Sequence, residues 1–218
     1  MRKVYIGAKP FSRVYLGGKP RQVIVGCPKS LLPNEYAQLK FIESTGTQCI
    51  DTGISGGVNA EYEIQFNPLT AFKQYETYFG GDKTPPVPKV IYENSRIELQ
   101  TYQGSHVAAS TAMNTILTIK YNSDATADCN GTAITSSAFT AGAGWGTLPF
   151  YIFRSNAETA LYATMRLYAL KMWTDSVLMR DFIPAKRKSD GMIGLYDLVS
   201  GTFFTDANGG NFTGGGEV

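Results

Sequence analysis

The amino-acid sequence predicts an all-β fold, arranged as a two-sheet sandwich or jelly roll. From position 36 onward, β-branched and aromatic residues dominate the chain, and such residues favour strands. They occur in short runs, and Gly, Asn, Asp or Pro bounds most of these runs. Many short strands joined by Gly-rich turns are typical of sandwiches and jelly rolls.

Composition excludes several classes of protein. The chain has 218 residues, of which 43% are hydrophobic and 17% charged, with a formal net charge of +2. A chain of this kind can bury one sizeable core and is too hydrophobic to be disordered. No stretch approaches the roughly 20 apolar residues of a membrane-spanning helix. No continuous apolar segment follows the basic start of the chain, so we expect no secretory signal.

Charge divides the chain near Pro33. Residues 1–34 carry seven basic side chains and no acidic one, whereas the remaining residues have a net charge of −5. We therefore predict two parts, a basic arm of residues 1–34 and an acidic body of residues 35–218.

The arm repeats itself at an interval of ten residues. Val-Tyr-Ile-Gly-Ala-Lys-Pro at 4–10 recurs as Val-Tyr-Leu-Gly-Gly-Lys-Pro at 14–20, and a shorter copy follows at 23–28. Each copy predicts a three-residue strand and a turn. Three such strands cannot bury a core of their own, so we predict that the arm docks on a partner protein. Packing on the chain's own body is the alternative, and nucleic acid is disfavoured because the arm lacks a recognition helix or a zinc motif.

The residues predicted to mediate this attachment are the aromatic and basic side chains of the repeats. They are Tyr5, Lys9, Arg13, Tyr15, Lys19 and Arg21.

Fourteen strands are predicted in the body. They cover residues 38–42, 48–50, 58–66, 76–80, 89–92, 96–102, 115–121, 126–129, 132–134, 149–153, 161–173, 176–184, 192–197 and 202–204.

Three of these segments have the most informative patterns. Apolar residues at 62, 64 and 66 alternate with polar residues at 61, 63 and 65, as a half-buried strand requires. Asn130-Gly131 is a strong signal for a two-residue hairpin turn. The run 161–173 also fits a helical stripe, but its apolar odd positions alternate with polar ones up to Ala169. We therefore predict a strand, with a bulge after Ala169 where the apolar positions become even.

Few residues are available for catalysis or metal binding. His106 is the only histidine, which excludes any site needing two histidine ligands, and we interpret it as a residue of a Gly-Ser turn. Cys27, Cys49 and Cys129 are odd in number and widely spaced, so we interpret them as reduced thiols rather than a disulfide framework or a zinc site.

Both ends of the body are similar to a known family. Leu-Lys-Phe-Ile-Glu-Ser-Thr-Gly-Thr-Gln-Cys-Ile-Asp-Thr-Gly at 39–53 resembles the first strands of the concanavalin A-like lectin/glucanase superfamily, specifically of its laminin G-like jelly-roll domains. The segment 180–205, from Arg-Asp-Phe-Ile-Pro to Gly-Thr-Phe-Phe-Thr, resembles their last strands. Such domains are common in bacteriophage and bacterial surface proteins, and the arm repeats separately resemble those of phage structural proteins.

The resemblance implies a non-enzymatic bacteriophage virion protein, such as a capsid decoration, head fibre or tail fibre component. It would be assembled in the host cytoplasm and bind other virion proteins through residues 1–34. Its lectin-like domain would be displayed outward, where it would either bind host-surface glycan or reinforce the capsid. Open strand edges favour a homo-oligomer, and no membrane partner is expected. The alternatives are a glycoside hydrolase of the same superfamily and a bacterial surface adhesin.

No catalytic residue is predicted. Glucanases of this superfamily carry an E-x-D-x-x-E motif, which is absent here. Glu61 and Glu63 are the nearest match, but a third acid is missing, and a solvated strand face explains them better.

No cofactor is predicted either, with Ca²⁺ as the alternative because some laminin G-like domains bind it through loop oxygens. The candidate ligands Asp82, Asp124, Asp128 and Asp206 form no dense cluster.

A sugar site needs an aromatic ring flanked by hydrogen-bonding groups. Trp145 lies in a Gly-rich loop and is the predicted platform, unless it folds back to cap the sandwich. The side chains expected to adjoin it are Tyr102, Tyr151, Arg154 and Asn156.

Overall fold

A computed structural model shows the protein as an all-β molecule, which confirms the predicted fold class. It describes residues 14–16, 19–21, 31–69, 76–81, 89–93, 95–100, 106–110, 113–134, 144–155 and 161–218. None of these residues lies in a helix, and so none of them belongs to a helix able to cross a membrane.

The strands are short, as predicted. In chain order they are β1 (Val14–Leu16), β2 (Lys19–Arg21), β3 (Tyr36–Gln38), β4 (Ile42–Glu43), β5 (Ile50–Asp51), β6 (Ala60–Pro68), β7 (Thr77–Gly80), β8 (Lys89–Glu93), β9 (Arg96–Gln100), β10 (His106–Ser110), β11 (Leu117–Tyr121), β12 (Ala127–Cys129), β13 (Thr132–Ile134), β14 (Tyr151–Ile152), β15 (Met165–Thr174), β16 (Val177–Arg187), β17 (Ile193–Asp197), β18 (Phe203–Phe204) and β19 (Thr213–Gly214).

The body is a sandwich of two antiparallel sheets. The smaller sheet has the strand order β10-β9-β8-β7-β14-β5, and the larger has the order β13-β12-β11-β6-β15-β16-β17-β18, with β3, β4 and β19 pairing beside this path. Aromatic rings from the two sheets meet in the core: the Tyr62 and Phe79 centroids are 5.0 Å apart, and those of Phe66 and Tyr78 are 5.2 Å apart. Burial of these rings is the main force that holds the sheets together.

The alternation predicted for β6 is confirmed. Tyr62, Ile64 and Phe66 are buried, and the polar residues at 61, 63 and 65 lie on the outer face. The Asn130-Gly131 turn is confirmed as well, because φ is +52° at Asn130 and +76° at Gly131. Two consecutive positive φ angles are typical of the type I′ hairpin that joins β12 to β13.

The run 161–173 is a strand, as predicted, although regular pairing begins only at Met165. Its register against β6 shifts between Leu167 and Ala169. Beyond the shift Leu170 and Met172 are buried, and Trp173 therefore lies on the outer face. A bulge is therefore present, but it lies between Leu167 and Ala169 rather than after Ala169 as predicted. It places the second tryptophan on the outer face of the sheet.

His106 does not lie in a turn. It is the first residue of β10, where it pairs with Gln100 of β9. The segment contains Ala108 and Ala109, whose low strand propensity gave no reason to predict a strand. Pairing with β9 overrides that propensity, and so the turn prediction was wrong. The short strand β19 was not predicted either, because its Gly-rich sequence also has low strand propensity.

The arm is described only in part. Val14–Leu16 forms the predicted strand, but Lys19 and Pro20, predicted as a turn, lie in β2 and pair with it. Proline is tolerated in an edge strand, and β1 is the only strand that pairs with β2 among the described residues. The predicted division of the chain at residue 34 stays a prediction, and residues Leu32–Val218 form one compact unit.

Candidate functional site

Trp145 is part of the core. Its side chain is fully buried, and its ring centroid lies 4.7 Å from that of Phe150. The indole Nε1 donates a hydrogen bond to Thr174 Oγ1 at 2.8 Å. The interpretation of Trp145 as an exposed sugar platform is therefore wrong, and the alternative that it folds back onto the sandwich is correct.

The Gly-rich loop around Trp145 explains this position. Trp145 N–H donates to the Gly56 carbonyl at 3.1 Å, and Gly56 N–H donates to the Gly146 carbonyl. A Cβ at Gly144 would lie only 2.2 Å from the carbonyl oxygen of Gly57. Glycine is therefore needed for the close backbone approach that directs the indole inward.

The other tryptophan lies over a depression on the larger sheet. Trp173 is half-buried on the outer face of β15, and its Cα pairs with that of Glu61 on β6. The depression has a volume of about 210 Å³. It is lined by Glu61, Tyr62, Glu63, Lys120, Tyr121, Asn122 and Trp173. We call this surface the Trp173 depression.

Polar groups of both charges surround the indole. Lys120 Nζ lies 3.1 Å from Glu63 Oε2, and this carboxylate raises the pKa of Lys120 by hydrogen bonding and charge. Ser123 Oγ donates to Glu61 Oε1 at 2.6 Å. The depression thus combines an aromatic ring with carboxylate acceptors and an ammonium donor, which are the groups that hold a sugar's ring face and hydroxyls.

Glu61 and Glu63 lie on the outer face, where the sequence placed them. Glu63 pairs with Lys120 across neighbouring strands, which fits the interpretation of a solvated strand face. Sequence reasoning did not select Trp173 as a site residue, although the bulge predicted after Ala169 already turned its side chain outward.

Two other predicted site residues are brought together elsewhere. The Arg154 guanidinium lies 4.5 Å from the Tyr151 ring centroid and 5.5 Å from that of Tyr162. Tyr162 was not selected from the sequence. The remaining predicted sugar-binding residues, Tyr102 and Asn156, lie outside the described residues.

Three of the predicted attachment residues are described, and only in their backbone pairing. In the β1–β2 hairpin Tyr15 pairs with Pro20, and Lys19 and Arg21 pair with Leu16 and Val14. Tyr5, Lys9 and Arg13 lie outside the described residues, so attachment through the arm stays a prediction.

Within the described ranges, no group of three or more His, Cys, Asp or Glu residues is arranged to hold a metal ion. The Asp206 carboxylate accepts hydrogen bonds from the Cys49 and Gly210 N–H groups at 2.8 and 2.7 Å. Asp124 and Asp128 likewise accept backbone N–H groups, and Asp82 lies outside the described residues. These three aspartates therefore order turns.

The described cysteines are buried free thiols, as predicted. Cys49 and Cys129 form no disulfide, and burial raises the pKa of each. Cys27 lies outside the described residues. Both described thiols are therefore protonated near neutral pH, when they are poor nucleophiles.

The segment 53–57 has the Gly-x-Ser-x-Gly spacing of a serine hydrolase. In serine hydrolases with this motif, the nucleophilic serine lies on a sharp turn between a strand and a helix. Here the segment joins β5 to β6 without a helix, and Ser55 is exposed. The spacing therefore lacks the structural context of a nucleophile.

Comparison with known proteins supports the architecture. No protein-family model and no curated protein sequence matches the chain. The fold is similar to the crystal structure of a proposed carbohydrate-binding protein from Bacteroides ovatus ATCC 8483, with a TM-score of 0.55 and 14% sequence identity. The similarity covers 83% of this chain and 62% of that one. The shared feature is the fold.

Proposed function

We propose that the body is a non-enzymatic carbohydrate-binding module and that the Trp173 depression is its binding site. The observation that carries the proposal is a half-buried indole flanked by two carboxylates and a lysine on the outer face of the larger sheet. The Bacteroides ovatus structure supports it, since a fold of this kind occurs in a protein with a proposed carbohydrate-binding role. The concanavalin A-like, laminin G-like resemblance points to the same function.

The geometry explains how a sugar would be held. The apolar face of a pyranose would stack on the Trp173 ring. The carboxylates of Glu61 and Glu63 would accept hydrogen bonds from its hydroxyls, and Lys120 would donate one. The ion pair between Lys120 and Glu63 keeps both groups oriented in the absence of sugar.

Replacing Trp173 with alanine is expected to weaken glycan binding by about 5- to 150-fold, which corresponds to the ~1–3 kcal/mol contributed by stacking on an aromatic ring. A glycan array first identifies a ligand of the wild-type protein, and calorimetry then gives the affinity of each variant. Tyr168→Ala is the matched control, because Tyr168 also lies on the outer part of β15 but does not line the depression.

Equal losses in the two variants, or a blank array, would contradict the proposed site. The alternative function, glycoside hydrolysis, can be tested with the same protein, because two carboxylates, Glu61 and Glu63, line the depression. Glycoside hydrolysis needs one carboxyl group to donate a proton, whereas Glu63 is held in an ion pair. Turnover of a bound polysaccharide that Glu63→Gln abolishes would replace binding with hydrolysis.

We further propose that residues 1–34 attach this module to a bacteriophage virion, as a capsid decoration, head fibre or tail fibre component. The support is the basic, repeated sequence of the arm. Deleting residues 1–34 should leave a folded body that no longer incorporates into particles, as measured by immunoblotting of purified virions. Normal incorporation would contradict attachment through the arm, and finding the intact chain on uninfected cells would favour a bacterial adhesin.

A further inference from the structure

Arg154 lies between two tyrosine rings at a place distinct from the Trp173 depression. Tyr151 belongs to β14 of the smaller sheet, and Tyr162 forms a parallel bridge with Thr77 of β7. The guanidinium is half-buried and within cation–π distance of both rings. Both contacts attract the guanidinium to the electron-rich faces of the rings.

Hydrogen bonds fix the surrounding groups. Arg154 Nη1 donates to the Tyr162 hydroxyl at 3.1 Å, and Asn208 Nδ2 donates to the same oxygen at 3.0 Å. The Tyr151 hydroxyl donates to Asp51 Oδ2 at 3.2 Å. Asn208 is exposed, so the cluster opens to solvent on the side of the 206–210 loop.

The backbone before Arg154 is strained. Phe153 has φ of +70°, which is rare for a bulky residue. Its ring is buried and lies 5.1 Å from that of Phe212, while its N–H donates to the Tyr78 carbonyl and its carbonyl accepts from Ala163. The kink lets Phe153 enter the core and directs Arg154 between the tyrosines. Backbone strain of this kind is concentrated at functional sites.

Charge pairing separates Arg154 from the other arginines whose side chains are described. Four of them have an acidic partner: Arg96 pairs with Glu98, Arg166 with Glu43, Arg180 with Asp197 and Arg187 with Asp190. Arg154 has none among the described residues. Its positive charge is half-buried, and no carboxylate within the described ranges forms an ion pair with it.

We propose that Arg154, with Tyr151, Tyr162 and Asn208, forms a second binding site for a sugar that carries a carboxylate. A planar guanidinium matches a carboxylate through two parallel hydrogen bonds. The tyrosine rings supply the apolar surface for the sugar ring, and the Asn208 amide supplies a further polar contact. The nearby Asp51 carboxylate accepts hydrogen bonds from Tyr151 and the Gly53 N–H, which fix its orientation.

The test is a titration with glucuronate, glucose and acetate, followed by nuclear magnetic resonance of the full chain. Glucuronate should bind the wild-type protein, whereas glucose and acetate should bind at least tenfold more weakly. Arg154→Gln should weaken glucuronate binding about tenfold or more, since hydrogen bonds between charged groups are the strong ones. Arg154→Lys should also weaken it, because an ammonium cannot offer two parallel N–H groups.

Arg166→Gln is the matched control. The Arg166 guanidinium also stacks on an aromatic ring, 4.5 Å from the Phe41 centroid, but Glu43 already neutralises it. Its affinity for glucuronate should equal that of the wild type. Trp173→Ala should likewise keep glucuronate affinity, which separates this site from the proposed main site.

Several outcomes would overturn the second site. They are absence of glucuronate binding, equal binding of glucose or acetate, and an Arg154→Lys variant with wild-type affinity. Because Arg154→Gln removes a half-buried charge, its fold is checked by circular dichroism, and Arg154→Lys decides the question if Arg154→Gln does not fold.

Discussion

Replacing Trp145 with alanine is expected to lower the free energy of unfolding by about 3–5 kcal/mol, the range for truncating a large buried aromatic side chain. The indole is fully buried against Phe150, Phe79 and Tyr62, so the substitution would leave a cavity between the sheets. It would also leave Thr174 without the indole N–H as its donor. Urea denaturation of the two proteins measures the difference.

Trp173→Ala is the control for this prediction. Because Trp173 is half-buried on the outer face, its truncation should cost less than about 1 kcal/mol. Trp145→Ala should therefore lower mainly the free energy of unfolding, whereas Trp173→Ala should lower mainly the affinity for glycan. A small cost for Trp145→Ala together with a large one for Trp173→Ala would contradict the packing described.

The second large effect is unfolding at alkaline pH. Tyr62, Tyr78 and Tyr121 are at most 1% exposed. Burial raises the pKa of all three, to about 12 for Tyr121, with a further contribution from the Asp124 charge. In the unfolded chain a tyrosine ionises near pH 10. The stability that these residues contribute is therefore complete below about pH 10 and is lost as pH rises toward 12 and beyond.

Phenolate absorbance and circular dichroism, followed together over this range, measure the effect. Exposed tyrosines should ionise first, and the buried ones should ionise only as the fold is lost. Tyr78→Phe should move the unfolding midpoint to higher pH, because the Tyr78 hydroxyl is buried without a hydrogen-bond partner among the described residues. Ionisation of every tyrosine in one step, with the fold intact, would contradict the prediction.

Local patterns predicted most of the fold. Alternation in β6 and the Asn130-Gly131 turn are properties of neighbouring residues, so the sequence carries them directly. The strand β10 was missed because its existence depends on pairing with β9, and no local pattern marks that pairing. The short strand β19 depends in the same way on β4.

The site was predicted less well because it depends on the direction of a side chain. Trp145 lies among glycines, which are typical of an exposed loop. The close approach of the Gly144 backbone to Gly57 nevertheless turns the loop inward. Trp173 lies at the end of an apolar run, which is typical of a core strand, yet the bulge turns it outward. Tyr151 and Arg154 were grouped correctly, but with the wrong aromatic partner: the structure supplies Tyr162.

The two indole N–H signals of the protein give the most direct test of binding at Trp173. The chain contains two tryptophans, so an amide correlation spectrum should show two such signals, and Trp173→Phe assigns them. On addition of a glycan selected on the array, the Trp173 signal should shift in proportion to saturation, while the Trp145 signal, protected by its bond to Thr174, should stay in place. Saturation by glycan with an unchanged Trp173 signal would contradict the proposed site.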